Sequence, residues 1–172
     1  MIDWKERTIR TKIPRQAAAR SLVAHGLHRA AGTRRPRILL AEDDGAMRSL
    51  LADVLRNYDY EVVEAADGRE LFEHLVEIVL DKSGEKEVDA VISDVRMPGM
   101  SGLELLDEMR SVGCPVPVIL ITAFGDDETH ARARLLGAVA VFDKPFDVED
   151  LLTAVINIAR ISRIGGEHTV RT

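Results

Sequence analysis

AVISDVRMPGMSG, residues 90–102, carries the reading on which the fold depends. An apolar run leads straight into an ionisable residue, Asp94, and the backbone then breaks at Met97-Pro98-Gly99. A run this apolar suits a strand buried on both faces, and a carboxylate placed at its end is costly unless other groups meet it there.

Outward from this stretch, short apolar runs alternate with segments of helical period. RILLA (37–41) precedes Met47, Leu50, Leu51, Val54 and Leu55, which share one helical face. YEVVEA (60–65) precedes a helix predicted from Gly68 to Leu80, and AVISD (90–94) one from Gly102 to Ser111. VPVILIT (116–122) precedes a helix near Asp127 to Leu136, and AVAVF (138–142) one from about Val148 to Ile161. Five strand–helix units in strict alternation predict an α/β fold with a parallel sheet covered on both faces.

In an open sheet of this kind, chemistry gathers outside the carboxyl ends of the strands. The residues expected there are Glu42, Asp43 and Asp44 after the first strand, Asp94 after the third, Thr122 and Ala123 after the fourth, and Lys144-Pro145-Phe146 after the fifth. Asp44 stands just before a helix and suits an N-cap. Each feature has a plainer reading alone: a carboxylate pair as a cap with a spare charge, Met97 as core filler, Thr122 as a strand former, Lys144 as a surface charge. Convergence from four strand ends outweighs these readings. His25, His28, His74, His130 and His168 lack metal-ligand spacing and are expected to be solvated.

These residues, in this order, resemble the receiver domain of bacterial two-component response regulators over about Pro36 to Arg160. The resemblance rests on Glu42-Asp43, Asp94 in DVRMPGMSG, Thr122 in ITA and Lys144 in KPF. It implies a flavodoxin-like, doubly wound (βα)5 sheet with strand order 2-1-3-4-5. It also implies a phosphoryl group accepted on Asp94 from a histidine kinase or a phosphotransfer protein. Crowding Glu42, Asp43 and Asp94 raises the cost of ionising all three unless a hard divalent cation sits among them, and Mg²⁺ is the natural occupant. Asp43, Asp94 and the backbone carbonyl of Arg96 are its expected ligands, with Glu42 acting through water. Lys144 is expected on one phosphoryl oxygen and the Thr122 hydroxyl on another.

Departures from the family pattern are few. Glu42 stands where aspartate is commoner, and Asp59 where glycine is usual, a place that asks for the left-handed conformation. Residues 79–88 lengthen the second helix and its loop. Val141, three residues before Lys144, occupies the switch position that usually holds an aromatic ring. A phosphatase of the haloacid dehalogenase type would need a second acid two residues after the nucleophile, where Arg96 stands. A pseudo-receiver, binding partners without phosphorylation, is the other alternative.

Composition sets the frame: 172 residues, 46% hydrophobic and 30% charged, suit one domain with an extension. Residues 1–37 hold ten basic residues against Asp3 and Glu6, a net +8, so the rest must carry −14 to reach the overall −6. An acidic domain of this kind is a poor candidate for binding a phosphate backbone. The expected organisation is a basic extension over 1–35, disordered or partly helical, a receiver domain over 36–161 and a tail over 162–172. The tail is too short for a DNA-binding domain, so a stand-alone receiver is expected. A homodimer through the face of the fourth helix, fifth strand and fifth helix is the possible self-association. Cys114, the single cysteine, rules out an internal disulfide. No apolar run reaches the eighteen or so residues of a membrane span, and no signal-peptide h-region is present, so the cytoplasm is expected.

Overall fold

The computed structural model describes residues 34–80 and 87–166, with side chains described up to Ile158 except that of Val79. The predicted extension over 1–35 and tail over 162–172 therefore lie largely outside the described residues, as does most of the lengthened 79–88 connection. Five strands, β1 (Arg37–Ala41), β2 (Glu61–Ala65), β3 (Ala90–Asp94), β4 (Val118–Thr122) and β5 (Ala140–Asp143), pair in parallel in the order β2-β1-β3-β4-β5. Between and after them run α1 (Gly45–Asn57), α2 (Gly68–Leu80), α3 (Gly102–Ser111), α4 (Asp127–Leu135) and α5 (Val148–Gly166). This is the flavodoxin-like order expected from the resemblance.

Every residue of β3 and of β4 is buried, as their unbroken apolar runs require of central strands in a doubly wound sheet. The sheet divides the core in two. Ile38, Leu40, Ile92, Ile119 and Ile121 meet α1 and α5, through Met47, Leu51, Leu55, Leu151 and Val155. Leu39, Val91, Val118 and Leu120 meet α2, α3 and α4, through Leu71, Leu75, Leu105, Leu106 and Ala133. Adjacent strand residues thus face opposite layers.

Local chemistry sets the helix starts at the carboxyl ends of the strands. Asp44 caps α1, accepting from the backbone N–H groups of Ala46 and Met47 at 2.9 Å each. Ser101 and Glu104 close a capping box on α3. Asp126 caps α4 through the Thr129 N–H at 2.8 Å. Asp59 has φ 66°, the left-handed turn expected after the first helix.

Three boundaries differ by two residues or more from the sequence reading. The fourth strand begins at Val118 and not at Val116, since Pro117 has no N–H to give the ladder. The last strand begins at Ala140, because Ala138 N–H still closes the end of α4 on the Ala133 carbonyl, and it runs on to Asp143. The last helix continues to Gly166, five residues past the predicted end. No helix among the described residues is long and apolar enough to cross a membrane.

Candidate functional site

The buried polar and charged side chains among the described residues are Glu42, Ser93, Asp94 and Thr122, and all four lie at or just beyond the carboxyl ends of β1, β3 and β4. Parallel registration brings them together. Asp94 pairs with Ile121 across β3 and β4, and Thr122 pairs with Asp143 across β4 and β5. The chain beyond each strand end is held by its neighbour: Val95 N–H donates to Ile121 carbonyl at 2.7 Å, and Lys144 N–H to Thr122 carbonyl at 2.7 Å.

Asp94 is fastened on several sides. One of its carboxylate oxygens accepts from Arg96 N–H at 2.8 Å, and its backbone carbonyl accepts from Ser93 Oγ at 2.9 Å. Gly102 opens α3 hard against that carbonyl, where a Cβ would collide with backbone. Pro98 and Gly99, with φ 82° at the glycine, turn the chain away, leaving the Asp94 carboxylate facing a pocket of about 390 Å³. Asp43, Met47, Arg96, Ala123, Phe124 and Lys144 line that pocket.

Lys144 reaches in from the far side of the sheet. Its ammonium donates to both carboxylate oxygens of Glu42, at 2.9 and 2.7 Å, and to the Asp94 carboxylate. Burial works against the ammonium, but its bonds to Asp94 and Glu42 and their charges outweigh burial and hold Lys144 above its ordinary pKa. Burial pushes the Glu42 carboxyl up to about 7, against the hydrogen bonds and charge of Lys144, with Asp94 adding repulsion. One ammonium thus serves two largely buried carboxylates. Glu42 is the group that takes up the imbalance.

Oxygen atoms of Glu42, Asp43 and Asp94 lie within 4.8 Å of one another. This set of hard oxygen donors fits a divalent cation of the Mg²⁺ class, and exposed Asp43 gives such an ion a solvent side on which to keep waters. The Thr122 hydroxyl oxygen, at the carboxyl end of β4, accepts from Phe124 N–H at 3.1 Å.

The structure brings together Glu42, Asp43, Asp94 and Lys144, puts Arg96 at the wall of the same pocket, and sets Thr122 at the end of β4, where its backbone carbonyl accepts from Lys144 N–H. Val141 lies away from the pocket, opposite Leu120 in register and packed with the α2–α4 layer. Two features were not legible in the sequence. Arg96 lays its guanidinium over the Phe124 ring, 4.6 Å from the centroid, at the wall of the pocket. His130 on α4, expected to be solvated, instead sets Nε2 at 2.9 Å from the carboxylate of Asp143, the residue before Lys144. Arg96, Phe124 and Asp143 each stand within two positions of a site residue, but His130 does not, and no local pattern pairs either couple.

The family model of the response regulator receiver domain matches residues 38–156. Over 120 residues the chain is 39% identical to the transcriptional regulatory protein PdtaR of Mycobacterium tuberculosis, covering 69% of this chain and 54% of that protein. It is 32% identical over 119 residues to sporulation initiation phosphotransferase F of Bacillus subtilis, covering 69% of this chain and 90% of that one. The chain thus spans about half the length of PdtaR and most of the phosphotransferase. Among solved structures, a CheY-like receiver domain protein from Methanospirillum hungatei superposes with a TM-score of 0.66 at 25% identity, covering 77% of this chain and 99% of that one.

Proposed function

Because the chain belongs to the response regulator receiver family of two-component systems, we propose that it accepts a phosphoryl group on Asp94 and signals through protein contacts. The observation that carries this reading is the convergence of the Lys144 ammonium and two further carboxylates, Glu42 and Asp43, on Asp94 at one end of the sheet.

The donor is a histidine kinase or a phosphotransfer protein. An Asp94 oxygen attacks phosphorus in line; the new O–P bond forms as the P–N bond to the donor imidazole breaks, and the imidazole keeps the electron pair. Lys144, already turned toward Asp94, neutralises one phosphoryl oxygen. The Thr122 hydroxyl donates a hydrogen bond to another. Asp43, Asp94 and the Arg96 carbonyl would hold a Mg²⁺ ion, with Glu42 acting through water, and the ion would supply charge neutralisation between the approaching anions. The chain catalyses only its own phosphorylation and dephosphorylation. It acts in the cytoplasm, with Leu135 on α4 (88% exposed) and Val139 before β5 (54% exposed) offering apolar surface for a protein partner or a second copy.

Incubation with Mg²⁺ and acetyl phosphate tests the assignment. Intact mass should rise by one phosphoryl group in the wild type and not in Asp94→Asn. Undiminished labelling of Asp94→Asn would move the nucleophile elsewhere.

A further inference from the structure

Away from the phosphoacceptor end, α2 and α3 leave an apolar groove of about 190 Å³ between them. Buried Leu75 and Met109 line its depth, while Phe72, Val76, Leu80 and Val112 line it at 38%, 39%, 71% and 70% exposure. Exposed apolar residues scattered singly are ordinary, but four around one concavity mark a surface that something covers. Leu80 ends α2 and Cys114 follows α3, and both helices run back from the carboxyl ends of the strands, so the groove reaches toward the opposite end of the sheet.

The chain ahead of Arg34 leaves from that same end. The Arg34 guanidinium donates to Asp89 at 2.8 Å and to Glu87 at 3.0 Å, and Asp89 N–H donates to the Arg37 carbonyl at 2.8 Å. Glu87 is only seven residues beyond Leu80. Reach is not limiting: ten extended residues span about 33 Å, and the thirteen residues of α2 are about 20 Å long.

Composition selects the occupant. Residues 81–86, DKSGEK, hold no apolar side chain, and residues 167–172, EHTVRT, hold one valine. Residues 1–33 include Trp4, Ile9, Ile13, Leu22, Val23 and Leu27. Charge agrees, since residues 1–33 carry seven basic residues against two acidic ones, whereas α2 and α3 carry six acidic residues against Arg69 and Arg110. We propose that residues 1–33 dock in cis on the α2–α3 groove, apolar side chains filling it and basic ones facing the carboxylates of both helices. The contact lies away from the Asp94 pocket and is independent of the phosphotransfer reading.

Zero-length carbodiimide coupling of the full chain, with peptide mapping of the monomer, tests this. The expected product joins Lys5 or Lys12 to Glu73, Glu77, Asp107 or Glu108 of the same chain. Leu80→Asp with Val112→Asp, both at largely exposed positions, should lower these links by roughly tenfold, the effect of removing one or two buried apolar side chains from the contact. Ile9→Ser with Ile13→Ser should lower them likewise without touching the groove. Links found only in coupled dimers would make a second copy the occupant and overturn docking in cis. Monomer links that go elsewhere, or that survive both double substitutions, would overturn it as well.

Discussion

Ion pairs at the carboxyl end of the sheet and ion pairs on the helix surfaces use the same chemistry in different solvents. Lys144 meets Glu42 and Asp94 with side chains 16%, 1% and 6% exposed, whereas Arg69 meets Glu73 on α2 with side chains 81% and 61% exposed. Water screens the surface pair and competes for both partners, so its net contribution is small. At the buried site the charges have given up hydration and depend on one another, which is why Glu42 is shifted upward and why losing one partner matters. A site that holds anions out of water, with only one ammonium between two of them, is poised to take up further cationic charge.

The sharpest break of this contrast is a pair of single substitutions. In the absence of divalent cations, Lys144→Met should cost roughly 2–4 kcal/mol, near the low end for removing one partner of a buried ion pair because Lys144 keeps some contact with solvent. Arg69→Ala should stay within about 0.5 kcal/mol. Urea unfolding of both variants measures the difference, and equal costs would dissolve the distinction between the two regions.

The next effect is that of a cation. If repulsion among Glu42, Asp43 and Asp94 is what the buried end lacks compensation for, Mg²⁺ should stabilise the fold, by about 1.4 kcal/mol at tenfold its dissociation constant. Asp43→Ala should remove most of that gain in melting temperature. A protein that phosphorylates yet melts independently of Mg²⁺ would show that repulsion does not govern stability here.

The sheet and the placement of Asp94, Thr122 and Lys144 were legible because buried parallel strands write themselves as unbroken apolar runs, each ending in a chemically odd residue. The weaker elements were not. In α4 only Ala133 is buried, so DETHARARL carries little apolar period, and Ala138 and Val139 looked like strand because two more small apolar residues follow them. The contact between Lys144 and Glu42 spans 102 residues, and that between His130 and Asp143 joins a helix to a strand end. No local pattern encodes such pairings. They exist only once β1, β4 and β5 are in register.

Acidity offers a smaller, signed effect. Glu42 has its pKa raised from 4.5 to about 7 on folding, so the folded chain binds more protons than the unfolded one between those values. Its contribution to stability is therefore fully present below the unfolded value and lost as pH rises through about 7. With EDTA present, the melting temperature of wild type should fall across this window relative to that of Glu42→Gln. Parallel curves for the two proteins would mean that the carboxyl is not held up by burial.

The smallest expected effect concerns how far the buried end speaks to the surface of α4, β5 and α5. In the family, movement of the threonine toward the phosphoryl group opens space that an aromatic ring on the fifth strand fills. Here that position is Val141, half-buried against the α2–α4 layer and opposite Leu120. Phe142 cannot replace it, since it points into the other layer, where its ring lies 5.9 Å from that of Phe146. A valine fills little space and presents nearly the same surface wherever it moves, so coupling between Asp94 and this face should fall below the roughly 1 kcal/mol at the low end of ordinary allosteric coupling. Amide chemical shifts of residues 127–158, with and without beryllofluoride, should change little in wild type and more in Val141→Tyr. A strong response across that face in wild type, with nothing added by tyrosine, would place the switch elsewhere. The pair of His130 and Asp143, which ties α4 to the strand end beside Lys144, is the contact such a result would point to.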